Sequence, residues 1–377
     1  MSTVLIAGGG FAGVWAAIAA AATRDRHGAD VDIHLVSNSG DLCIRPRLYQ
    51  RASEDMLVPL APLCDQIGVK LTVETIDAVG AAYVQTAGGV NIGFDRLILA
   101  TGSQVRIPPI AGAAEHGFVV DTYQSTQTVD AHVAGLGEGE TIVVVGAGLT
   151  GVEVAVSLKA RTGDATRVIL IDRNETPGKA LGHGIEGEIT TALGQSGVVY
   201  MGQTQIDQVA ADHVILDTGE RIETRTVIFA TGFRASPLTD MIDAERMADG
   251  RLMTDADLRV LGVPRVYAAG DVAVGQADEA HQTLMSCQHA MPMGVAAGRN
   301  AVLDLIDQPR EPYAQPFYAT CVDLGPSRAV FTNGWDRQIV STGADGAEVK
   351  NQINMEWIYP PKAELGREGI YNAIMGG

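Results

Sequence analysis

Six glycines carry the first chemical signal in this 377-residue chain. Gly8, Gly10 and Gly13 stand in GGGFAG, and Gly146, Gly148 and Gly151 repeat the GxGxxG spacing in GAGLTGVE. Each set follows a short apolar run and opens a stretch rich in alanine or valine. At a strand-to-helix junction, glycine permits the tight turn and the missing side chains let a pyrophosphate reach the helix N-terminus. One copy alone is weak, because tight turns use glycine without any ligand. Two copies in matching contexts predict two dinucleotide sites, with Phe11, Ala12, Leu149 and Thr150 inside the loops sharing the contacts.

An acid at the end of the second strand of such a unit bonds the adenosine ribose. Asp172 holds that place in the second unit, where it also repels a 2′-phosphate and favours NADH over NADPH; Arg173 beside it softens the preference. In the first unit the same place holds Ser37, so the ribose contact there is weaker, is made through water, or comes from Asn38.

The elements that must position these loops also recur. A strand at 3–7, a helix from the glycine loop to about 22 and a strand at 31–36 are matched by a strand at 141–145, a helix to about 161 and a strand at 168–171. Further strands are expected at 70–73, 83–86, 91–92 and 96–100, the last closing on Ala100, Thr101 and Gly102. A matching strand at 226–230 closes on the same ATG, ending in Thr231 and Gly232, and the chain returns through 265–269 to Gly270 and Asp271. Loops at 103–117 and 236–250 mark the crossings. The expected fold is therefore α/β, with two Rossmann-like dinucleotide-binding domains and the second inserted in the first. We assign 1–115 with 250–310 to the first, 116–249 to the second, and 311–377 to a small C-terminal α+β region. That region is expected to hold strands at 317–324 and 329–332 and a helix near 348–358; its tail from 360 is short and a poor membrane anchor.

Composition narrows the function. Hydrophobic residues at 46% suffice for buried sheets, and a net charge of −18 with no Lys or Arg run opposes nucleic acid or anionic lipid as a partner. The four cysteines form no CxxC pair, so neither a disulfide framework nor a metal site is expected, and a reducing cytoplasm is the natural setting. The apolar stretch at 14–22 has no basic leader and reads as a buried helix.

The motifs together make the resemblance specific. GGGFAG at 8–13, RPRLYQ at 45–50, LILATGS at 97–103, GAGLTGVE at 146–153, ATGF at 230–233, YAAGDVA at 267–273, CQHAMPMG at 287–294 and CVDLG at 321–325 resemble the flavoproteins with two dinucleotide-binding domains, most closely the type II NADH dehydrogenases. The resemblance covers nearly the whole chain. It implies FAD in the first unit and NAD(P)H in the second, with Asp271 on the FAD ribityl chain, Arg45, Pro46 and Arg47 near the isoalloxazine, and Thr101 and Gly102 near the FAD phosphates. Gln288, His289 and Ala290 would touch the flavin ring, and Glu153 would stand beside the nicotinamide, with Glu153 and Gln288 as catalytic candidates. Each has a plainer reading: Asp271 as an N-cap, Glu153 as a carboxylate at a helix start, His289 as a satisfied buried histidine.

In that family two glutamines four apart on a helix frame the quinone. Gln288 fits the second position, but Leu284 stands at the first, and Gln282 is out of register. Cys43 lacks the second cysteine of the relatives that relay electrons through a thiol and reads as structural. Phe317, Tyr318 and Trp335 are candidates for an acceptor pocket, and ordinary packing explains them equally well. The leading function is an NADH:FAD oxidoreductase passing electrons to a quinone or similar small acceptor, with a homodimer and a peripheral contact at the inner face of the membrane compatible with it. The alternatives are a soluble tailoring flavoenzyme acting on a small metabolite and a non-catalytic redox-sensing module.

Overall fold

The computed structural model describes residues 2–375. The chain opens with β1 (Ser2–Ala7), α1 (Phe11–His27) and β2 (Val31–Ser37), then α2 (Leu60–Ile67) and β3 (Lys70–Val73). A meander of β4 (Ile76–Val79), β5 (Tyr83–Thr86) and β6 (Asn91–Gly93) leads into β7 (Arg96–Leu99) and β8 (Ser103–Val105). The second unit follows with β9 (Gly117–Val119), α3 (Tyr123–Ala134), β10 (Glu140–Val145), α4 (Leu149–Thr162), β11 (Thr166–Ile171), α5 (His183–Ser196) and β12 (Val199–Met201). It has its own meander, β13 (Ile206–Val209), β14 (His213–Leu216) and β15 (Arg221–Glu223), and closes with β16 (Thr226–Phe229) and β17 (Phe233–Ala235). The chain then returns through β18 (Val266–Ala268) and α6 (Cys287–Leu305). It ends in β19 (Ala319–Asp323), β20 (Ala329–Asn333), β21 (Gln338–Thr342), α7 (Gly343–Gln352) and α8 (Gly366–Met375).

Two parallel five-stranded sheets result, in the orders β18-β7-β1-β2-β3 and β9-β16-β10-β11-β12. The first takes strands from both sides of the second, so the second unit is an insertion. Their central strands, Val4–Ala7 and Ile142–Val144, are wholly buried, as sheets covered by helices on both faces require. The registers repeat: Ala7 pairs with Val36 and Leu99, and Val145 pairs with Ile171 and Phe229. Both glycine loops therefore leave their sheets at the same point, the carboxyl end of the central strand. The crossings between units are tied by β8 pairing antiparallel with β17.

One helix pair sets the position of the site. A Cβ on Gly294 would lie 2.3 Å from the Ala12 carbonyl oxygen, and one on Gly298 would lie 2.2 Å from that of Ala16. α6 thus packs with its backbone against α1, and its N-terminus is fixed beside the first glycine loop. The Ser286 Oγ caps that end by accepting from the His289 N–H at 3.4 Å.

Helix ends differ from the sequence expectation where polar residues hid them. α1 runs five residues past Ala22, because Arg24, Arg26 and His27 suit a C-terminal turn, and it stops at Gly28 with φ +57°. The helix expected near 348–358 begins earlier, at Gly343, and loosens into a π turn at Ile353–Trp357. The C-terminal tail forms α8, which buries Ile370 and Tyr371; the Tyr371 hydroxyl donates to Asp25 at 2.6 Å on α1.

Candidate active site

The two glycine loops are superposable in their constraints. Gly8 and Gly146 have φ of +110° and +102°, and a Cβ on either would strike the carbonyl oxygen of Ala100 or Ala230 at 2.4 or 2.5 Å. A Cβ on Gly13 or Gly151 would sit 1.8 or 1.7 Å from the Gly8 or Gly146 carbonyl oxygen. Gly10 and Gly148 behave differently. A Cβ there meets nothing within 4 Å, and neither helix N-terminus has a side-chain cap. Open space in front of uncapped N–H groups is what a pyrophosphate needs, so both loops fit a dinucleotide.

The candidate ribose contacts stand at the carboxyl ends of β11 and β2. Asp172 follows β11, and its carboxylate accepts from the Ala147 N–H at 2.7 Å and from both the backbone and side-chain N–H groups of Asn174 at 2.7 Å. Arg173 is exposed. Ser37 ends β2 buried, with its Oγ accepting from the Ser39 N–H at 3.2 Å.

At the junction of the units Asp271 accepts from the Ser103 hydroxyl at 2.6 Å, with an Arg45 Nη1 3.7 Å away. Burial holds this carboxyl above the usual range, against the pull of Ser103 and Arg45. Arg45 also donates to Ser103 at 2.9 Å, pairs with Asp121 and lies 4.7 Å over the Phe233 ring, so it clamps the two units. Arg47 is buried and donates to Asp55 at 2.8 Å, to the Tyr359 hydroxyl and to Gln50 at 3.3 Å. Both guanidinium groups flanking Pro46 are engaged by protein.

The N-terminal turn of α6 carries Gln288 and His289. Leu284 is 42% exposed and lies in the loop before α6, so it cannot pair with Gln288 on one helix. Four residues beyond Gln288 the helix carries Pro292. The Gln288 Oε1 accepts from the Ala319 N–H at 3.3 Å, which joins α6 to β19. The His289 ring is fully enclosed by protein, stacked on Tyr318 and Trp335, which stack on one another at 4.3 Å. Gln315 sets its tautomer: the Gln315 Nε2 donates to the Gln288 carbonyl at 3.0 Å, so its Oε1 accepts, and His289 Nδ1 carries the proton at 3.0 Å. Burial keeps this imidazole below its usual pKa, hence neutral. Phe317 is 59% exposed, and neither it, Tyr318 nor Trp335 lines either of the two cavities described below.

Glu153 lies one turn into α4, only 7% exposed. Its Oε1 accepts from Lys350 Nζ at 2.7 Å and from the Asp323 N–H at 3.0 Å. Lys350, from α7, also donates to the Cys321 carbonyl at 3.2 Å. The Tyr49 hydroxyl donates to Asp323 at 2.7 Å and accepts from Asn354 at 3.0 Å. Burial pushes the Glu153 carboxyl up, with Lys350 opposing; burial works against the Lys350 charge, yet the Glu153 carboxylate holds its pKa above the usual value. Lys350 and Asn354 lie in no motif, and Asp323, though inside CVDLG at 321–325, was given no role, so the sequence reading missed all three. The available signal was spacing: Gly346, Lys350 and Asn354 recur every four residues and are all buried.

Two cavities flank these groups. The larger, about 600 Å³, lies between α1, α6 and the C-terminal region and is walled by Trp15, Met291, Pro292, Val295, Ala296, Tyr313, Trp357, Tyr359 and Ile374, with Arg299 the one charged side chain among its described lining residues. The smaller, about 310 Å³, is polar and includes Tyr49, Asp323, Lys350, Asn354, Arg161 and Arg328. All four thiols are free, and burial pushes Cys43 up, Cys64 and Cys287 to about 11 and Cys321 to about 12, which keeps them protonated. Among the described residues no helix is long and apolar enough to cross a membrane.

Comparison with known proteins agrees with this geometry. The chain is 40% identical over 380 residues to an NADH dehydrogenase-like protein of Mycobacterium tuberculosis, covering 96% of this chain and 95% of that one. It is 30% identical over 318 residues to the type II NADH:quinone oxidoreductase NdhA of the same species, covering 71% and 66%. The solved structure of the sulfide:quinone oxidoreductase from Aquifex aeolicus superposes with a TM-score of 0.78 at 16% identity, over 99% of this chain and 93% of that one, and shares the fold. Residues 2–294 match the pyridine nucleotide-disulphide oxidoreductase family. With two intact dinucleotide loops and relatives along its whole length, the chain belongs to that family and is an FAD-dependent NAD(P)H oxidoreductase of the NADH dehydrogenase-like kind.

Proposed function

We propose that the acceptor is a quinone, held in the cavity of about 600 Å³ between α1, α6 and the C-terminal region. The observation that carries this reading is the cavity's wall. It is aromatic and aliphatic, as a ring with an apolar chain requires, and its Met291 and Pro292 end lies within one turn of Gln288, at the helix terminus that the resemblance assigns to the flavin. Tyr359 on the same wall is bonded to Arg47, beside Pro46. FAD supplies the two-electron chemistry between NADH and the acceptor. The chain's own residues bind and orient: the uncapped amides at Gly10 and Gly148 take the phosphates, and Asp172 disfavours NADPH through its charge.

Reduction of a quinone by NADH also consumes one proton from solvent. Glu153 and Lys350 are the buried pair placed to hold it, one turn beyond the second glycine loop, and Asp323 and Tyr49 connect them to the smaller polar cavity. A peripheral membrane contact is part of this proposal, because Trp357 is 56% exposed where it lines the cavity and Leu365 of the same tail is also 56% exposed.

Filling the cavity tests the assignment. Ala296→Phe puts a ring into the space that a quinone would occupy. NADH turnover on a short-chain quinone should fall at least about tenfold while the anaerobic reduction of the flavin by NADH proceeds. Undiminished quinone turnover in this variant would refute the cavity as the acceptor site.

A further inference from the structure

We infer that the acceptor cavity is built for a ligand with an anionic group at its outer end, held by Arg299, so that the preferred acceptor is a quinone whose chain carries an anionic group. This rests on the reading that the cavity takes the acceptor. Met291, Val295 and Arg299 follow one another at four-residue spacing on α6, and all line the cavity. Eight residues of helix span about 12 Å, so the Arg299 backbone lies two turns along α6 from Met291, at the far end of the slot from Gln288.

Arg299 is poorly satisfied for a cation in such a place. Its ionic partner among the described residues is Glu311, at 2.9 Å from Nη1, and that carboxylate is 59% exposed. Its Nε is buried and has no partner. The other arginines of the region are better served: Arg310 has Asp257 and Asp304, and Arg47 has Asp55, Tyr359 and Gln50. A guanidinium offers five donors in a planar fork that matches a carboxylate or phosphate. Packed against a hydrocarbon chain it would lose water without gaining a partner, which is unfavourable. An anion about 12 Å along the slot from Met291 meets both needs at once, with apolar contacts along Val295, Ala296 and Trp15 and a charge-assisted bond at Arg299. The net charge of −18 makes the inference discriminating, since long-range electrostatics alone would favour the neutral acceptor.

The test uses the FAD-loaded full chain and matched benzoquinones carrying either a plain alkyl chain or an ω-carboxyalkyl chain spanning about 12 Å. The carboxylate should have a KM about tenfold lower than its neutral twin. Arg299→Gln should erase that difference, and Glu311→Gln should enlarge it by freeing the guanidinium. Opposite effects at neighbouring positions cannot come from general damage to the fold. In parallel, binding of decanoate and decanol is followed by tryptophan fluorescence, since Trp15 and Trp357 line the cavity. This arm reads the anion preference even if no quinone turns over, and so separates failure of the inference from failure of the proposed function. Equal affinities for decanoate and decanol, or a preference that survives Arg299→Gln, would overturn it. So would a neutral quinone equal to the charged one and stimulated through Arg299 by anionic vesicles, which would place the anion on a lipid and not on the acceptor.

Discussion

Lys350→Met is close to isosteric for the stem of the lysine and deletes only its charge. The Glu153 carboxylate, 7% exposed, would keep the Asp323 amide as its single partner. Removing one member of a buried ion pair costs about 3–5 kcal/mol when the other stays charged. Here the loss depends on pH, and its sign follows from the direction of the Glu153 shift. Burial already lifts this carboxyl above its ordinary value against the pull of Lys350. Without Lys350 it is lifted further. A group with a raised folded pKa holds its proton more tightly in the folded state, so the penalty is absent below the ordinary glutamate pKa and grows as pH rises towards the folded value. The variant should therefore lie nearest to wild type at about pH 5 and furthest below it at about pH 8. Replacing both partners, Glu153→Met with Lys350→Met, should recover most of the loss, because an apolar pair has no charge to strand. Urea midpoints read by release of flavin fluorescence across this pH range make the comparison. A loss that is the same at all pH values, or a double variant no better than the single one, would refute the buried-pair argument.

Three further expectations concern the cofactor loops and the helix pair. Gly10→Ala and Gly148→Ala place a methyl in open space at the two phosphate positions, so both variants should fold. The first should purify with less flavin, and the second should keep flavin and raise the KM for NADH about tenfold, which visible spectra and steady-state kinetics distinguish. Asp172→Asn keeps an acceptor for the Ala147 amide and removes the charge, so the preference for NADH over NADPH should shrink about tenfold in kcat/KM. Gly298→Ala drives a methyl to 2.2 Å from the Ala16 carbonyl oxygen and should cost about 1–3 kcal/mol, seen as a lowered urea midpoint, with partial loss of flavin as the α6 terminus shifts.

The parts of the molecule governed by local geometry were readable from the residues. Gly8, Gly13, Gly146 and Gly151 sit where any Cβ would strike backbone, so their spacing announced both loops. The strands at Lys70–Val73 and Tyr83–Thr86 were found residue for residue, since alternation and turn residues mark them. The site beyond the loops was much less legible. Glu153 and Lys350 are 197 residues apart, and nothing in either neighbourhood names the other. The cavity proposed for the acceptor draws Trp15, Pro292 and Trp357 from three distant segments. Tyr318 and Trp335, suggested for an acceptor pocket, stack on His289, a contact that spacing does not encode. That Leu284, already a departure from the family's glutamine pair, also lies off the helix was less legible: α6 starts at Cys287, behind its cap at Ser286.

The central claim is that electrons pass from NADH through the bound flavin to a quinone, and anaerobic stopped-flow tests it most directly. The FAD-loaded chain is mixed with NADH while absorbance at about 450 nm is followed, and a short-chain quinone is added next. The account predicts fast bleaching by NADH, slower bleaching by NADPH, and prompt return of the absorbance with quinone. Bleaching that quinone fails to reverse would contradict the acceptor assignment, and no bleaching by either nucleotide would contradict hydride transfer itself.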